Sequence, residues 1–230
     1  MEIDIYQMLS IVCITLLIAL LRDHTTQKKR IDLLFQGNFE TGIEPDEFNW
    51  KVDRDPHDVT RQICNAWKSD SLIREVVCNP IIGQTISKLM NWKGARLIQD
   101  NILWKPPKGK SLGYHQDAAY VDWISPQTMA TCWIPLDNTN KENGTLEFAI
   151  ESHHWDLCPP SESFHAPIDY KKGLKGYLKM KDKSLKIHLA EISAGGVSFH
   201  HGMTWHGSGV NQTNSDRLAI VAHCVPSDAK

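Results

Sequence analysis

The sequence lacks the signs of several large protein classes. No C-x-x-C pair occurs among its six cysteines, Cys13, Cys64, Cys78, Cys132, Cys158 and Cys224. Cysteine-built zinc sites draw on such close pairs, so that class is set aside. There is no surplus of positive charge: 25 Lys and Arg stand against 27 Asp and Glu, a net charge of −2. Nucleic-acid binders normally carry a basic excess, so no nucleic-acid partner is expected. No apolar run reaches the roughly 20 residues of a spanning helix, and no internal repeat is visible. What is present is an ordinary globular balance, 41% hydrophobic and 23% charged, which excludes a wholly disordered chain. At 230 residues the chain is long enough to bury a core without disulfides or a structural metal. Cysteines set in apolar strings, as in Thr131-Cys132-Trp133-Ile134, read as buried free thiols, which makes a reducing cytoplasm the expected home. Eleven histidines invite a metal without saying which of them bind it.

Residues 8–21 are almost entirely apolar. A run of that length is more often a buried helix or a signal core than a membrane span. Glu2 and Asp4 precede it where a signal peptide carries positive charge, and Arg22, Lys28, Lys29 and Arg30 follow it. The readings are a buried or docking helix, a membrane anchor, or a displaced gene start, with membrane association not favoured. Residues 1–21 are therefore set apart from a single domain over 22–230.

Helical texture comes first. Asp55-Pro56 opens a stretch with apolar positions at Val59, Ile63, Trp67, Ile73 and Val77, broken at Pro80 and resumed over 81–90. Strand texture follows over 96–104, 129–136, 145–150, 186–192, 196–200 and 218–225, with Asn143-Gly144 as a turn signal. Residues 155–184 are polar and lysine-rich without a clear period, as expected of a lid or insert. The pattern predicts a mainly β fold with flanking helices, a sandwich or jelly roll.

His115-Gln116-Asp117 follows a glycine-containing stretch at a strand end. In extended backbone residues i and i+2 share a face, so imidazole and carboxylate point together, as two ligands of a 2-His-1-carboxylate Fe(II) site do. Alone this is weak, because His154-Trp155-Asp156 repeats the spacing by accident. A third ligand must come from afar. His206 is the candidate, with His200 and His201 as rivals. Arg217, 11 positions beyond His206, provides the bidentate cation that the remote carboxylate of 2-oxoglutarate requires, and Ser208 a further hydrogen bond.

Together His115-Gln116-Asp117, His206-Gly207-Ser208-Gly209, Asn211 and Arg217 resemble the phytanoyl-CoA dioxygenase family. Lys105-Pro106-Pro107 resembles the family's K-P-P segment, and Trp133, 18 residues after His115, a tryptophan of its cosubstrate site. Asn143-Gly144-Thr145-Leu146 with Ser152-His153 resembles its N-G-x-L…G-S-H stretch, with Glu151 where glycine usually stands. The resemblance covers about 96–227.

It implies a double-stranded β-helix, cupin-like, and an Fe(II)- and 2-oxoglutarate-dependent dioxygenase that also consumes O2 and releases succinate and CO2. It implies iron on His115, Asp117 and His206, and cosubstrate held by Arg217 and Ser208 and lined by Trp133 and Asn101. Tyr120 is expected to touch cosubstrate or substrate, and Lys105 to be structural or to sit at the mouth. Relatives that halogenate lack the carboxylate, so Asp117 implies hydroxylation. The substrate is a small molecule or an acyl compound. The lysines at 171, 172, 175, 179, 181 and 183 suit an anionic substrate such as an acyl-CoA, but a solvated charged loop is the favoured reading. The alternatives are an inactive metal- and 2-oxoglutarate-binding domain of the same fold, and a cupin-type zinc hydrolase or isomerase, for which Arg217 has no use.

Overall fold

The structure is a computed structural model describing residues 11–14, 23–161, 164–181 and 184–230. Eleven strands among these residues form two antiparallel sheets. They are β1 (Ile11–Ile14), β2 (Glu47–Phe48), β3 (Arg61–Cys64), β4 (Ala95–Lys105), β5 (Leu112–His115), β6 (Ala130–Pro135), β7 (Leu146–Ala149), β8 (Ile187–Leu189), β9 (Val197–His201), β10 (His206–Ser208) and β11 (Arg217–Pro226). The larger sheet runs β1-β9-β6-β11-β4-β3-β2 and the smaller β5-β10-β7-β8. The two face each other as a double-stranded β-helix, the fold expected.

Period-two alternation decides which residues enter the space between the sheets. Ile102, Ile134, Ile220, Phe199 and Ile63 point outward into a cluster with the helices. Trp133, Ala219 and Val221 point inward onto Leu146 and Phe148 of the smaller sheet. Each such aliphatic side chain contributes about 1.5–3 kcal/mol on burial, so the register is strongly specified; a one-residue slip would exchange the faces.

Three helices cover the outer face. The first, α1 (His24–Phe35), begins where the Asp23 side chain accepts a hydrogen bond from Thr26 N, and it buries Ile31, Leu34 and Phe35. Asp70 caps α2 (Ser71–Val77) through Ile73 N. Asn79 caps α3 (Pro80–Leu89), where Pro80 sits at the first turn, the one helical place that does not need its missing N–H.

Two expectations need correction. The helical reading of 55–70 fails at β3, which pairs with β4. Val59 and Ile63 satisfy a helical spacing, yet Gln62 and Cys64 alternate with Ile63, and ladder hydrogen bonds to β4 fix the extended form. In the apolar run, Ile11–Ile14 are not helical: they are extended and pair with the edge of β9. The rest of 8–21 lies outside the described residues. No helix among the described residues is long and apolar enough to cross a membrane.

The 155–184 stretch holds a helix that its polarity concealed, α4 (Lys172–Lys181), which buries Leu174 and Tyr177 against Tyr114 and Trp205. Tyr170 and Lys171 tie its start to the buried Glu147 on β7, at 2.8 and 2.6 Å. Glu151 takes the left-handed φ of +62°, which explains why glycine is usual at that point. Cys64, Cys78, Cys132, Cys158 and Cys224 are free thiols.

Candidate active site

β10 lies between β5 and β7, and its first residue, His206, stands directly opposite His115 at the end of β5. Gly207 permits this approach, since a Cβ there would come within 2.7 Å of the Tyr114 ring. A short 3-10 turn over Asp117–Tyr120 then carries Asp117 back beneath the two histidines. The ligand-type atoms of His115, Asp117 and His206 lie within 4.8 Å of one another. All three residues are largely buried.

The imidazoles are oriented from behind. His115 Nδ1 is 2.9 Å from Gly113 O, and His206 Nδ1 is 2.9 Å from Thr204 O. With Nδ1–H donated to a carbonyl, each Nε2 keeps its lone pair, and both face Asp117 Oδ1, at 3.2 and 3.5 Å. Burial, reinforced by His115, pushes the His206 imidazole well below its usual range. Burial alone would raise Asp117, but His206, His115 and His200 outweigh it and hold the carboxyl well below the usual range. Two imidazole nitrogens and an ionised oxygen converging at this spacing are the donor set of a divalent metal, with imidazoles oriented by backbone carbonyls as metal-bound histidines usually are.

Asp117 Oδ2 has its own partners. The Thr131 hydroxyl donates to it at 2.6 Å, and His200 Nε2 lies 3.1 Å away. Thr131 is also 2.9 Å from His223 Nδ1, and His223 Nε2 is 2.9 Å from Asn101 Nδ2. Of the two rivals for the third ligand, His200 therefore reaches the site but addresses the carboxylate. His201 turns away, with its Nδ1 accepting from Met203 N. The accidental pair is not assembled: Asp156 is bound to Lys181, and the His154 ring lies against His153.

A cavity of about 470 Å³ opens onto this group, lined by Asn101, Trp133, Ser208, Tyr120 and Phe164 among others. A broader trough of about 850 Å³ between α3 and the start of β4 has no histidine or carboxylate in its lining. Behind Trp133 lies Arg217, fully buried, its guanidinium 5.7 Å from the ring centroid. Its Nε, Nη1 and Nη2 all lack a hydrogen-bond partner, as does Trp133 Nε1. Burial lowers Arg217 to about 10. Lys105, across the ladder from Arg217, is equally buried and donates to Ser208 Oγ at 2.6 Å and to Gly209 O. Burial, and then Arg217, drive the Lys105 ammonium well below its usual range. Lys105 is thus no mouth residue: the alternation that turns Asn101 inward turns Lys105 inward too. Two adjacent buried cations, one of them unpartnered, form a site that fits an anion, because an uncompensated buried charge costs several kcal/mol.

Tyr120 sits near the mouth, 43% exposed, its ring 6.0 Å from His115 and its hydroxyl accepting from Ser161 N. Sequence reasoning missed Thr131, His223 and the site role of His200. The first two lie at even spacing from residues already assigned, two before Trp133 and six after Arg217. That parity was a usable signal. Nothing in the sequence marked Phe164, whose ring packs 4.6 Å from His115.

The family model described as Phytanoyl-CoA dioxygenase (PhyH) matches residues 19–219. The chain belongs to this family. Peroxisomal phytanoyl-CoA dioxygenase of Homo sapiens is 28% identical over 135 residues, 54% of this chain and 37% of that protein. A phytanoyl-CoA dioxygenase domain-containing protein 1 homolog of Caenorhabditis elegans is 28% identical over 145 residues, 61% of this chain and 50% of its own length. This PhyH-family chain therefore spans half or less of these curated relatives. Among solved structures, the non-heme alpha ketoglutarate dependent carbocyclase SnoK from nogalamycin biosynthesis superimposes with a TM-score of 0.73 at 20% identity, covering 98% of this chain and 83% of that one. EctD from S. alaskensis, solved with 2-oxoglutarate and 5-hydroxyectoine, gives 0.72 at 16% identity, covering 95% and 73%. At these identities the likeness establishes the fold.

Proposed function

We propose that this PhyH-family protein is an Fe(II)- and 2-oxoglutarate-dependent dioxygenase that hydroxylates a C–H bond of a small molecule. The observation that carries the reading is a pair of features: the His115, Asp117 and His206 donor set on the cavity, and, behind the Trp133 that lines it, the unpartnered buried guanidinium of Arg217. His115, Asp117 and His206 would hold the iron, and Arg217 with Ser208 would hold the remote carboxylate of 2-oxoglutarate. Trp133 would line that cosubstrate's path. Asn101 acts one step back, through His223 and Thr131. Tyr120 belongs to the substrate side. When bound, iron and 2-oxoglutarate supply oxidising power from O2, with succinate and CO2 as co-products.

The chain's own residues do the positioning. Gly113 O and Thr204 O set the two imidazole tautomers. Thr131 and His200 occupy Asp117 Oδ2 and leave Oδ1 turned to the histidines. Trp133, Leu146 and Phe148 wall the inner end against water. The guanidinium is presented as a fixed fork, which suits a carboxylate in bidentate contact better than a lysine would.

The test is succinate release that requires both Fe(II) and 2-oxoglutarate. Asp117→Ala is expected to reduce it at least about 100-fold, the order seen when a group acting on the reacting centre is removed. His154→Ala is expected to stay within about twofold of the parent, as a surface change does. Equal loss in both variants, or metal binding without any 2-oxoglutarate consumption, would overturn the reading.

A further inference from the structure

The wall of the cavity facing its mouth is built from amides. β2, β3 and β4 pair side by side at the end of the larger sheet, and their inward positions carry Glu47, Gln62, Cys64, Gln99 and Asn101. They grade from an exposed rim at Glu47, through half-buried Gln62 and Gln99, to buried Asn101. Asn101 Oδ1 accepts from Gln62 Nε2 at 3.1 Å and from Gln99 Nε2 at 3.3 Å, so the two glutamines are held together. Gln62 Nε2 donates its other hydrogen toward Cys64 Sγ at 3.3 Å. The polar group that Gln62 has left for a ligand is its carbonyl oxygen. Away from β2, β3 and β4 the lining includes the apolar Phe164, Val121 and Leu112, with Tyr120 and His165 beside them.

Among the described residues no lysine or arginine lines this cavity. Three lysines of the 155–184 stretch are engaged elsewhere, Lys171 with Glu147, Lys175 with Asp169 and Lys181 with Asp156. An anionic substrate would therefore meet acceptor oxygens and the Glu47 carboxylate at the rim, with no cation to offset its desolvation. A cation finds no interior carboxylate beyond Asp117, which is already taken up by histidines. Amide groups, which both donate and accept, match hydroxyl groups, which do the same.

We infer that the substrate is a small uncharged molecule with hydroxyl groups along one edge and a hydrocarbon or C–H face on the other. The hydroxyl edge lies on Gln62 and Gln99, and the apolar face on Phe164. This rests on the dioxygenase reading only in placing the substrate in the same cavity.

The experiment is calorimetric titration of the full chain, alone and with Mn(II) plus 2-oxoglutarate, using phenyl β-glucoside, hexanoyl-CoA and choline as probes. The glucoside is expected to bind and the other two are not. Gln62→Leu and Gln99→Leu are each expected to weaken glucoside binding about tenfold, the effect of one lost hydrogen bond with its partner left unpaired. Where either leucine variant fails to fold, as read by its thermal transition, Gln99→Ala serves in its place. Preference for hexanoyl-CoA or choline overturns the inference. So does absence of glucoside binding, or unchanged affinity in the variants. Failure of Mn(II) and 2-oxoglutarate to bind counts against the dioxygenase reading instead, and glucoside binding to the protein alone still decides this one.

Discussion

Asp117 and Arg217 show how differently two buried charges are treated in one molecule. Asp117 is surrounded: two imidazoles face one oxygen, while a hydroxyl and a third imidazole take the other. Arg217 has no hydrogen-bonding partner at any of its three nitrogens. Replacing even a paired set of buried charges by hydrophobic residues of similar volume is often neutral or stabilising, by up to about 4 kcal/mol, and Arg217 lacks even a hydrogen-bonding partner. Arg217→Met is therefore expected to leave the ligand-free protein as stable as its parent or more so, measured by urea unfolding. The same change is expected to raise KM for 2-oxoglutarate at least about tenfold, since a bidentate charge-assisted contact is lost. A destabilised protein with an unaltered KM would mean that Arg217 is a packing residue.

At the level of elements, the link between the 3-10 turn over Ala66–Lys68 and β4 depends on Asp100. Its Oδ1 accepts from Trp67 N at 3.0 Å, while its Oδ2 is buried without a partner. Burial raises the carboxyl to about 7. The sign follows from linkage: a carboxyl whose folded pKa lies above its unfolded value favours folding below the unfolded value, near pH 4, and loses that contribution as pH rises through about 7. Asp100→Asn keeps the acceptor for Trp67 N and removes the charge. It is expected to raise Tm at pH 8 and to flatten the dependence of Tm on pH between about 4 and 7. A variant whose Tm falls at pH 8 would show that the ionised form is stabilised by something else. The elements also explain which sequence patterns were legible. The strands β6 and β11 announce themselves because both their faces are buried and apolar residues run through them. β5 and β10 hold four and three residues, too few for any period to register, although they carry the two histidines. β3 misled because Val59 and Ile63 happen to sit four apart.

For the whole molecule, the relation between ligand and stability is the clearest expectation. The donor set and the two buried cations are paid for by the rest of the fold until ligands arrive. Anything that binds only the native state raises its stability by about 2.7 kcal/mol at 100 times Kd. For a chain of this size that corresponds to about 2–4 °C per kcal/mol. Mn(II) and 2-oxoglutarate together are expected to raise Tm by about 5 °C or more in a thermal scan, and Asp117→Ala is expected to abolish the metal's share. A Tm indifferent to both ligands would argue that the site is not a metal centre.

The local chemistry of the site was written in the order of residues. The i, i+2 spacing of His115 and Asp117, the strand-end histidine at 206 and an arginine 11 positions later follow from strand geometry and ligand chemistry, which are short-range properties of the chain. The same holds for the alternation that separates the helix-facing isoleucines from Trp133 and Val221. Only the tertiary structure decided what lies opposite what. Cross-strand register, a long-range property with no local signal, set His206 against His115, brought Thr131 between His200 and His223, turned Lys105 inward beside Arg217, and assembled Gln62, Gln99 and Asn101 into one wall. Which of eleven histidines meet at Asp117 is a question of pairing between distant segments, and pairing is settled by burying the whole apolar face at once.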